Sequence, residues 1–257
     1  MENETQREHV HEHEGHEHNH PHHAPKQNPW AIPLAIVLAG GIVAVGVFYS
    51  GKSTPKNNPT QADGATATQN VDVRPVDSTD HVLGDVNAPI KIVEYSDLQC
   101  PYCQEFDATM RQVMQDYPGK VAWIYRSFWA VRKLPDGSVF HPLGGKAAES
   151  AECVAELGGN DKFWDYIGKV FADQANGSLD NLDKYATAEG IDQTAFEKCL
   201  SSGKYTAKVA SLYQEGLKAQ VNGTPNSFIM SKNGIVVIPG AVPYAQVKAA
   251  LDSILKN

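Results

Sequence analysis

The sequence predicts an α/β domain preceded by one transmembrane helix. Three observations support this: a strand-helix-strand pattern over residues 90–129, a long helical block after it, and a twenty-residue apolar run near the N-terminus. With 257 residues, 42% of them hydrophobic, the chain can bury one core of ordinary domain size and still carry additional segments. A net charge of −8 without a cluster of Lys or Arg argues against a nucleic-acid partner.

Residues 1–29 form a low-complexity segment that contains eight of the ten histidines. The segment has almost no large apolar side chains, so it cannot bury enough surface to offset the entropy of ordering, and we expect a disordered tail. Closely spaced imidazoles can bind zinc, copper or nickel, so weak metal binding stands beside the alternative of a solvated polar tail. The candidate ligands are His11, His13, His16 and His18.

Residues 30–49, WAIPLAIVLAGGIVAVGVFY, contain no charged side chain and are bracketed by Trp30 and Tyr49. Twenty helical residues span the roughly 30 Å hydrocarbon thickness of a bilayer, and aromatic residues favour its interfaces. The run is longer than the apolar part of a signal peptide and follows an acidic tail, so a retained anchor is predicted. Residues 50–80 are rich in small and polar residues, which predicts a flexible linker to a domain over 81–257.

Within the domain, IKIVEYSD (90–97) is a nearly continuous apolar run that is typical of a strand covered on both faces. Apolar residues from Phe106 to Tyr117 then recur at helical spacing, and residues 120–129 form the next strand. The strand-helix-strand order implies that the two strands pair in parallel, because the crossover returns the chain to the same end of the sheet.

The rest of the domain changes from helices back to strands. Apolar residues recur at helical spacing in several segments between residues 142 and 222, which predicts a block of helices. Asn233-Gly234 between two apolar runs predicts a two-residue hairpin turn, and residues 244–257 predict a final amphipathic helix.

Cys100-Pro101-Tyr102-Cys103 lies where the first strand meets the helix. Pro101 favours the first helical position, which makes Cys100 the N-cap residue, where backbone amides and the positive end of the helix dipole stabilise a thiolate. Cys103 follows by almost one turn, close enough to resolve a mixed disulfide formed at Cys100. The pattern therefore predicts a catalytic redox pair that needs no separate cofactor.

Two other kinds of site share the C-x-x-C pattern. A closed zinc site needs four ligands, and the chain has no second C-x-x-C, so His81 or His141 would have to complete it. A purely structural disulfide within so short a loop would remove little entropy from the unfolded chain. Both alternatives are weaker than the redox pair. His141, at the start of the helical block, is expected to be structural or solvent-exposed and receives no catalytic role.

The other two cysteines, Cys153 and Cys199, both lie in the helical block and are 46 residues apart. In the chain-entropy model, closing a loop of that length stabilises the folded state by roughly 4 kcal/mol, so a structural disulfide is predicted. The alternative is two free, buried cysteines. Disulfides persist in oxidising compartments. Two cysteine pairs therefore favour a location outside the cytoplasm for residues 50–257, with the histidine-rich tail inside.

IVEYSDLQCPYC, the helical insertion at about 142–222 and GTPNSFIM together resemble the bacterial DsbA-like thiol-disulfide oxidoreductases of the thioredoxin superfamily, over residues 81–257. The resemblance implies a thioredoxin-like fold with a cis peptide bond before Pro225, opposite the C-x-x-C. It implies that the backbone of Thr224 pairs with a bound peptide, and that Pro101 and Tyr102 belong to the same peptide-binding surface.

The resemblance also assigns a role to Glu94, six residues before Cys100 in an otherwise apolar strand. A buried carboxyl at this position has a raised pKa and takes the proton from Cys103. The alternative is an outward-facing glutamate, since a shift of one residue in a strand exchanges the two faces.

The implied function is a membrane-tethered oxidoreductase that forms disulfides in cysteine-containing extracytoplasmic proteins and is recycled by a membrane redox partner. The expected location is the cytoplasmic membrane, with one span and the catalytic domain facing the periplasm or the cell exterior. Pro-Tyr between the cysteines differs from the Pro-His of the best-known strong oxidases, and these residues tune the reduction potential, so an isomerase or reductase is an alternative. A further alternative function is that of a copper- or zinc-handling protein that uses the C-x-x-C and the histidine-rich tail.

Overall fold

The structure, a computed structural model, describes residues 71–129, 134–176 and 180–256. The predicted histidine-rich tail, including His11, His13, His16 and His18, and the predicted transmembrane helix over 30–49 lie outside these residues. Within the described ranges, no helix combines the length and the apolar character needed to cross a bilayer.

A mixed sheet of five strands forms the centre of the described domain. The strands are β1 (His81–Leu83), β2 (Ile90–Ser96), β3 (Val121–Ser127), β4 (Asn226–Ser231) and β5 (Gly234–Pro239), in the spatial order β1-β3-β2-β4-β5. β2 and β3 are parallel, and the other neighbouring pairs are antiparallel. Helix α1 (Pro101–Asp116) connects the two parallel strands, which confirms the predicted strand-helix-strand unit.

β2 occupies the middle of the sheet because apolar side chains on both of its faces have partners. Ile92 belongs to the cluster that includes Phe106 of α1, on one side of the sheet. Val93 belongs to the opposite cluster, together with Phe128. A strand that is buried on both faces carries a continuous apolar run, as the sequence shows at this position.

The chain between β3 and β4 forms the predicted helical insertion. Its elements are α2 (Gly144–Ala172), a 3-10 turn (Gln174–Asn176), α3 (Leu182–Ala188), α4 (Gln193–Ser201) and α5 (Thr206–Lys218). Helix α2 is interrupted at Gly159, whose φ of 84° lies in the left-handed region that favours glycine. The rings of Trp164, in the second part of α2, and Trp123, in β3, have centroids 4.6 Å apart, so the insertion packs directly on the sheet.

The end of the domain follows the predicted order. β4 and β5 form an antiparallel hairpin whose connecting residues are Lys232 and Asn233, one residue earlier than the predicted Asn233-Gly234 turn. Gly234 begins β5 with a φ of 114°. Helix α6 (Tyr244–Lys256) follows the hairpin, with Val247 and Leu251 fully buried in the same cluster as Phe106 of α1. The hairpin and the final helix are therefore both confirmed.

The predicted flexible linker over 50–80 is wrong for its last part, because residues 71–80 pack against the domain. We call residues 71–80 the N-terminal strap. Val73 of the strap is buried in the cluster that contains Phe128. Asp80 accepts two hydrogen bonds at 2.9 Å from the guanidinium of Arg126, and both side chains are almost completely buried.

The strap is also tied to the helical insertion. Arg74 donates a hydrogen bond of 2.7 Å to Glu215 of α5 and one of 2.8 Å to Asp80. A buried guanidinium such as that of Arg126 is tolerated only when an opposite charge compensates its lost hydration. The packed part of the chain therefore begins before His81, and β1 follows the strap as a short strand that the sequence analysis did not assign.

Cys153 and Cys199 form a disulfide, which confirms the predicted pair. The bond joins the first part of α2 to α4, and it closes a loop of 46 residues inside the insertion. Closing a loop of this length restricts the unfolded chain, which in the chain-entropy model stabilises the insertion by about 4 kcal/mol.

Candidate active site

Cys100 and Cys103 lie at the start of α1, directly after the short turn that connects the central strand β2 to this helix. Cys100 is the N-cap residue with an extended backbone, and Pro101 occupies the first helical turn, as predicted. Both cysteines are free thiols, so the structure represents the reduced form of the pair. Cys103 is completely buried, whereas Cys100 retains 4% exposure and lies at the edge of a cavity.

The loop before β4 lies directly against Cys100. The peptide bond between Thr224 and Pro225 is cis, which confirms the isomer implied by the resemblance. The Sγ atom of Cys100 donates a hydrogen bond of 3.4 Å to the carbonyl oxygen of Thr224, across 124 residues of sequence. The cis-proline loop therefore faces the sulfur that the sequence assigns as the nucleophile.

The two sulfurs have opposite proton affinities. A hydrogen bond from the Cys103 thiol lowers the pKa of Cys100 to about 6, and hydrogen bonds from the Thr224 side chain and from backbone amides at the helix start act in the same direction. Burial, together with the hydrogen bond to Cys100 and its negative charge, raises the pKa of Cys103 well above its usual value. At neutral pH, Cys100 is thus the thiolate and Cys103 is the proton-bearing partner.

Glu94 is buried within β2, with 1% exposure, so the alternative of an outward-facing side chain is wrong. Its carboxyl oxygen accepts a hydrogen bond of 2.9 Å from Nε1 of Trp123. Burial raises the pKa of Glu94 to about 8, and Asp107 acts in the same direction through its negative charge. Glu94 also contributes to the raised pKa of Cys103, which places the carboxyl within electrostatic range of that thiol.

A cavity of about 570 Å³, which we call the active-site cavity, opens beside Cys100. Its walls are mainly aromatic and aliphatic, and Tyr102 is 61% exposed at its rim. The lining includes Pro101, Tyr102, Phe128, Phe140, Tyr213 and Leu217. Except for Pro101 and Tyr102, these residues were not identified from the sequence as lining a site, because they come from the chain between β3 and α2 and from α5. An apolar wall beside a reactive sulfur can hold an apolar side chain of a bound peptide.

Two further polar residues near the cysteines were missed by the sequence analysis as functional groups. Asp97 follows β2 directly and is 2% exposed, and His141 precedes the insertion and is 7% exposed. Their side chains are joined by a hydrogen bond of 2.6 Å between Nδ1 of His141 and Oδ2 of Asp97. The prediction that His141 is structural or solvent-exposed did not foresee this contact. The available signal in the sequence was the position of the two residues: Asp97 precedes the C-x-x-C by three residues, and His141 stands at the start of the helical insertion.

The described ranges hold no group of three or more His, Cys, Asp or Glu side chains arranged to bind a metal ion. The chemistry that the described site supports is thiol-disulfide exchange. It combines a low-pKa sulfur, a buried resolving sulfur beside a carboxyl, and a backbone acceptor on a cis-proline loop.

Fold and site together define a thioredoxin-fold protein with a helical insertion and a redox-active C-x-x-C pair. The family profile described as thioredoxin matches residues 77–253, and the chain belongs to this family. Within it, the chain resembles the DsbA-like proteins, which are thiol-disulfide oxidoreductases.

Several curated relatives share part of the sequence. Na(+)/H(+) antiporter NhaA 3 of Salinispora tropica is 33% identical over 156 residues, which are 60% of this chain and 22% of the antiporter. The chain therefore spans less than a quarter of that relative's length. The probable disulfide bond formation protein D of Bacillus anthracis is 28% identical over 191 residues, which are 70% of this chain and 80% of that protein.

Solved structures share the fold. BdbD from Bacillus subtilis, in its oxidised form, has a TM-score of 0.61 at 22% identity and covers 73% of this chain and 98% of its own. The alpha-DsbA1 protein of Wolbachia pipientis has a TM-score of 0.58 at 23% identity, covering 70% of this chain and 92% of its own. At these identities the comparison establishes the fold, and the chemistry is argued from the site.

Proposed function

We propose that the protein forms disulfides in other proteins through the Cys100/Cys103 pair. The observation that carries this proposal is the low pKa of Cys100, about 6, at the N-terminus of α1 and against the cis-proline loop. A thiolate that is stable at neutral pH stabilises the reduced form of the pair, which makes the disulfide form a stronger oxidant. This favours disulfide formation over the reductase alternative, although Pro-Tyr separates the cysteines.

The reaction starts from the disulfide form. A client thiolate attacks Sγ of Cys100 and breaks the Cys100–Cys103 bond, and Cys103 leaves and takes up a proton. Glu94 is the buried acid available for that proton, because its carboxyl is largely neutral at pH 7. A second client thiolate then attacks the client sulfur of the mixed disulfide and releases Cys100 as a thiolate. The client loses two electrons, and the pair gains them.

The client is proposed to bind as an extended segment along the cis-proline loop. The carbonyl of Thr224 is a backbone acceptor beside the reacting sulfur, and Pro225 holds the loop that carries it. Pro101 and Tyr102 also line the active-site cavity, whose apolar lining suits an aliphatic or aromatic side chain next to the client cysteine. Regeneration requires a redox partner that accepts two electrons from the dithiol, and we place this partner in the membrane.

The reduction potential tests the proposed direction. The oxidised full chain is equilibrated with glutathione buffers, and the fraction of reduced Cys100/Cys103 is measured by mass analysis of alkylated peptides. We expect a potential above about −200 mV, on the oxidising side of glutathione and toward that of strong oxidases. A value near about −270 mV, where thioredoxin lies, would support the reductase alternative instead.

We further propose that residues 30–49 anchor the chain in the cytoplasmic membrane with residues 50–257 outside. The apolar run and the Cys153–Cys199 disulfide support this arrangement, since disulfides persist in oxidising compartments. Protease added to intact cells or spheroplasts is expected to degrade the C-terminal domain and to spare the histidine-rich tail. Degradation of the tail alone would reverse the orientation, and recovery of the chain in the soluble fraction would contradict the anchor.

A further inference from the structure

Asp97 and His141 form a buried acid-imidazole pair beside the cysteines, and the proposed reaction gives neither residue a role. The two residues are 44 positions apart and come from different elements, the turn after β2 and the segment before α2. The distance of 2.6 Å between Nδ1 of His141 and Oδ2 of Asp97 is that of a short, charge-assisted hydrogen bond.

Asp97 is bonded to both cysteines through its backbone. Its amide N–H donates a hydrogen bond of 3.4 Å to Sγ of Cys103, and its carbonyl oxygen accepts one of 2.9 Å from the amide of Cys100. A side chain that fixes Asp97 therefore also fixes the turn that carries the redox pair. His141 provides such a contact from the insertion.

His141 also brings charge to the active-site cavity. The titratable residues among the described lining are Cys100, Tyr102, Tyr213 and His141, and within this set only His141 can carry a positive charge. The hydrogen bond to Asp97 raises the pKa of His141, and the negative charge of the Cys100 thiolate acts in the same direction. The imidazole is thus largely protonated at the pH where Cys100 ionises.

We propose that His141 is a positioning residue for the redox pair, which holds the Asp97 turn in place and stabilises the Cys100 thiolate as an imidazolium across the active-site cavity. The inference rests on the proposed thiol-disulfide exchange at Cys100. Cys100 and His141 both line the active-site cavity, and an opposite charge nearby favours the ionised form of a group. A favoured thiolate makes the disulfide more oxidising. The insertion would then contribute to the chemistry of the pair as well as to the cavity wall.

The test compares His141→Gln with His81→Gln in the full chain in detergent. His81 is the matched control, because its Nε2 lies 3.0 Å from the carboxylate of Glu152 and it does not line the active-site cavity. The rate of Cys100 alkylation by iodoacetamide is followed against pH by peptide mass analysis, which excludes contributions from the other cysteines. The second readout is the equilibrium in which the disulfide form and two glutathione molecules give the dithiol and glutathione disulfide.

For His141→Gln we expect the alkylation midpoint to rise by about one pH unit. The equilibrium constant for reduction by glutathione should then fall about fivefold at pH 7 and nearly tenfold at pH 8, because less of the reduced form is stabilised as thiolate. His81→Gln should leave both readouts unchanged. His141→Lys, which retains a positive charge beside Asp97, should keep the low midpoint, whereas a purely structural role predicts equal shifts for Gln and Lys.

A measurement on the wild-type chain avoids any folding defect of the variants. The imidazole pKa of His141, followed by NMR with labelled histidine, should be higher in the reduced form than in the disulfide form, because charge coupling is reciprocal. Equal values in the two forms, or a His141→Gln midpoint equal to that of wild type, would overturn the inference alone. A wild-type Cys100 that does not ionise below neutral pH would instead overturn the proposed function.

Discussion

Replacing Cys103 with serine is expected to arrest exchange at a covalent intermediate through Cys100. In this variant, the Cys100 thiolate attacks a client disulfide and forms a mixed disulfide, and the displaced client sulfur leaves as a thiolate. The variant then has no resolving sulfur of its own beside Cys100, because position 103 is the buried neighbour whose thiol bonds to Cys100, and the adduct is released only by attack of a client thiolate. Replacing Cys100 with serine should reduce exchange to the uncatalysed level, since Cys103 is completely buried and carries its proton.

The two variants are compared by incubating each with a test protein that carries non-native disulfides, followed by separation without reductant. Cys103→Ser should give a stable adduct whose cross-linked peptide contains Cys100, and Cys100→Ser should give none. A double Cys153→Ala/Cys199→Ala variant is the matched control, because its catalytic pair is intact and it should turn over without accumulating an adduct. An adduct through Cys103 in the Cys100→Ser variant would contradict the assignment of the attacking sulfur.

Replacing Glu94 with glutamine is expected to slow exchange and, at the same time, to stabilise the fold above pH 5. The rate is expected to fall because the variant lacks the carboxyl that we propose exchanges a proton with Cys103, and such proton transfer typically contributes about a hundredfold or more. Stability rises because a buried carboxyl with a raised pKa is unfavourable wherever the unfolded chain would ionise it. Glutamine keeps an acceptor for Nε1 of Trp123, so the packing around position 94 is preserved.

The sign of the stability effect follows from the two pKa values. Below the usual pKa of 4.5, Glu94 is protonated in both states and the variant should match wild type. Between that value and the folded-state pKa of about 8, the unfolded state loses the proton and the folded state keeps it, so wild-type stability falls as pH rises. At pH 7 the difference between the variant and wild type should reach about 3 kcal/mol.

Urea unfolding at pH 4.5, 7 and 8, with the redox pair in the same state in each sample, measures this difference. Glu152→Gln is the matched control, since Glu152 is equally buried but accepts hydrogen bonds from His81 and Lys208, and these partners lower its pKa against the effect of burial. The ionised Glu152 carboxylate stabilises the fold above its unfolded-state pKa, and this stabilisation is lost as pH falls. Glu152→Gln should therefore lower the free energy of unfolding at pH 7. Parallel pH profiles for wild type and Glu94→Gln would show that Glu94 is ionised in the fold.

Much of the fold was predictable because its signals are local. The continuous apolar run of β2, the helical spacing after Pro101 and the Asn233-Gly234 pair, which predicted the hairpin to within one residue, each specify an element locally. The N-cap position of Cys100 follows from Pro101 in the same way. β1 escaped prediction because its three residues are too few to show a period. The packing of the strap was not predicted because its polar composition resembles a linker, and its partners, among them the buried Arg126, are distant in sequence.

What the sequence determined by itself was the order of strands and helices from β2 onward, the placement of the redox pair at a helix start and the two cysteine pairs. Each of these depends on neighbours in the chain or on a count of residues. The tertiary structure decided the burial of Glu94, the contact of Cys100 with Thr224 and the pair of Asp97 with His141. The physical reason is that pKa values depend on burial and on charges brought together by packing across many residues, and local periodicity carries no information about either.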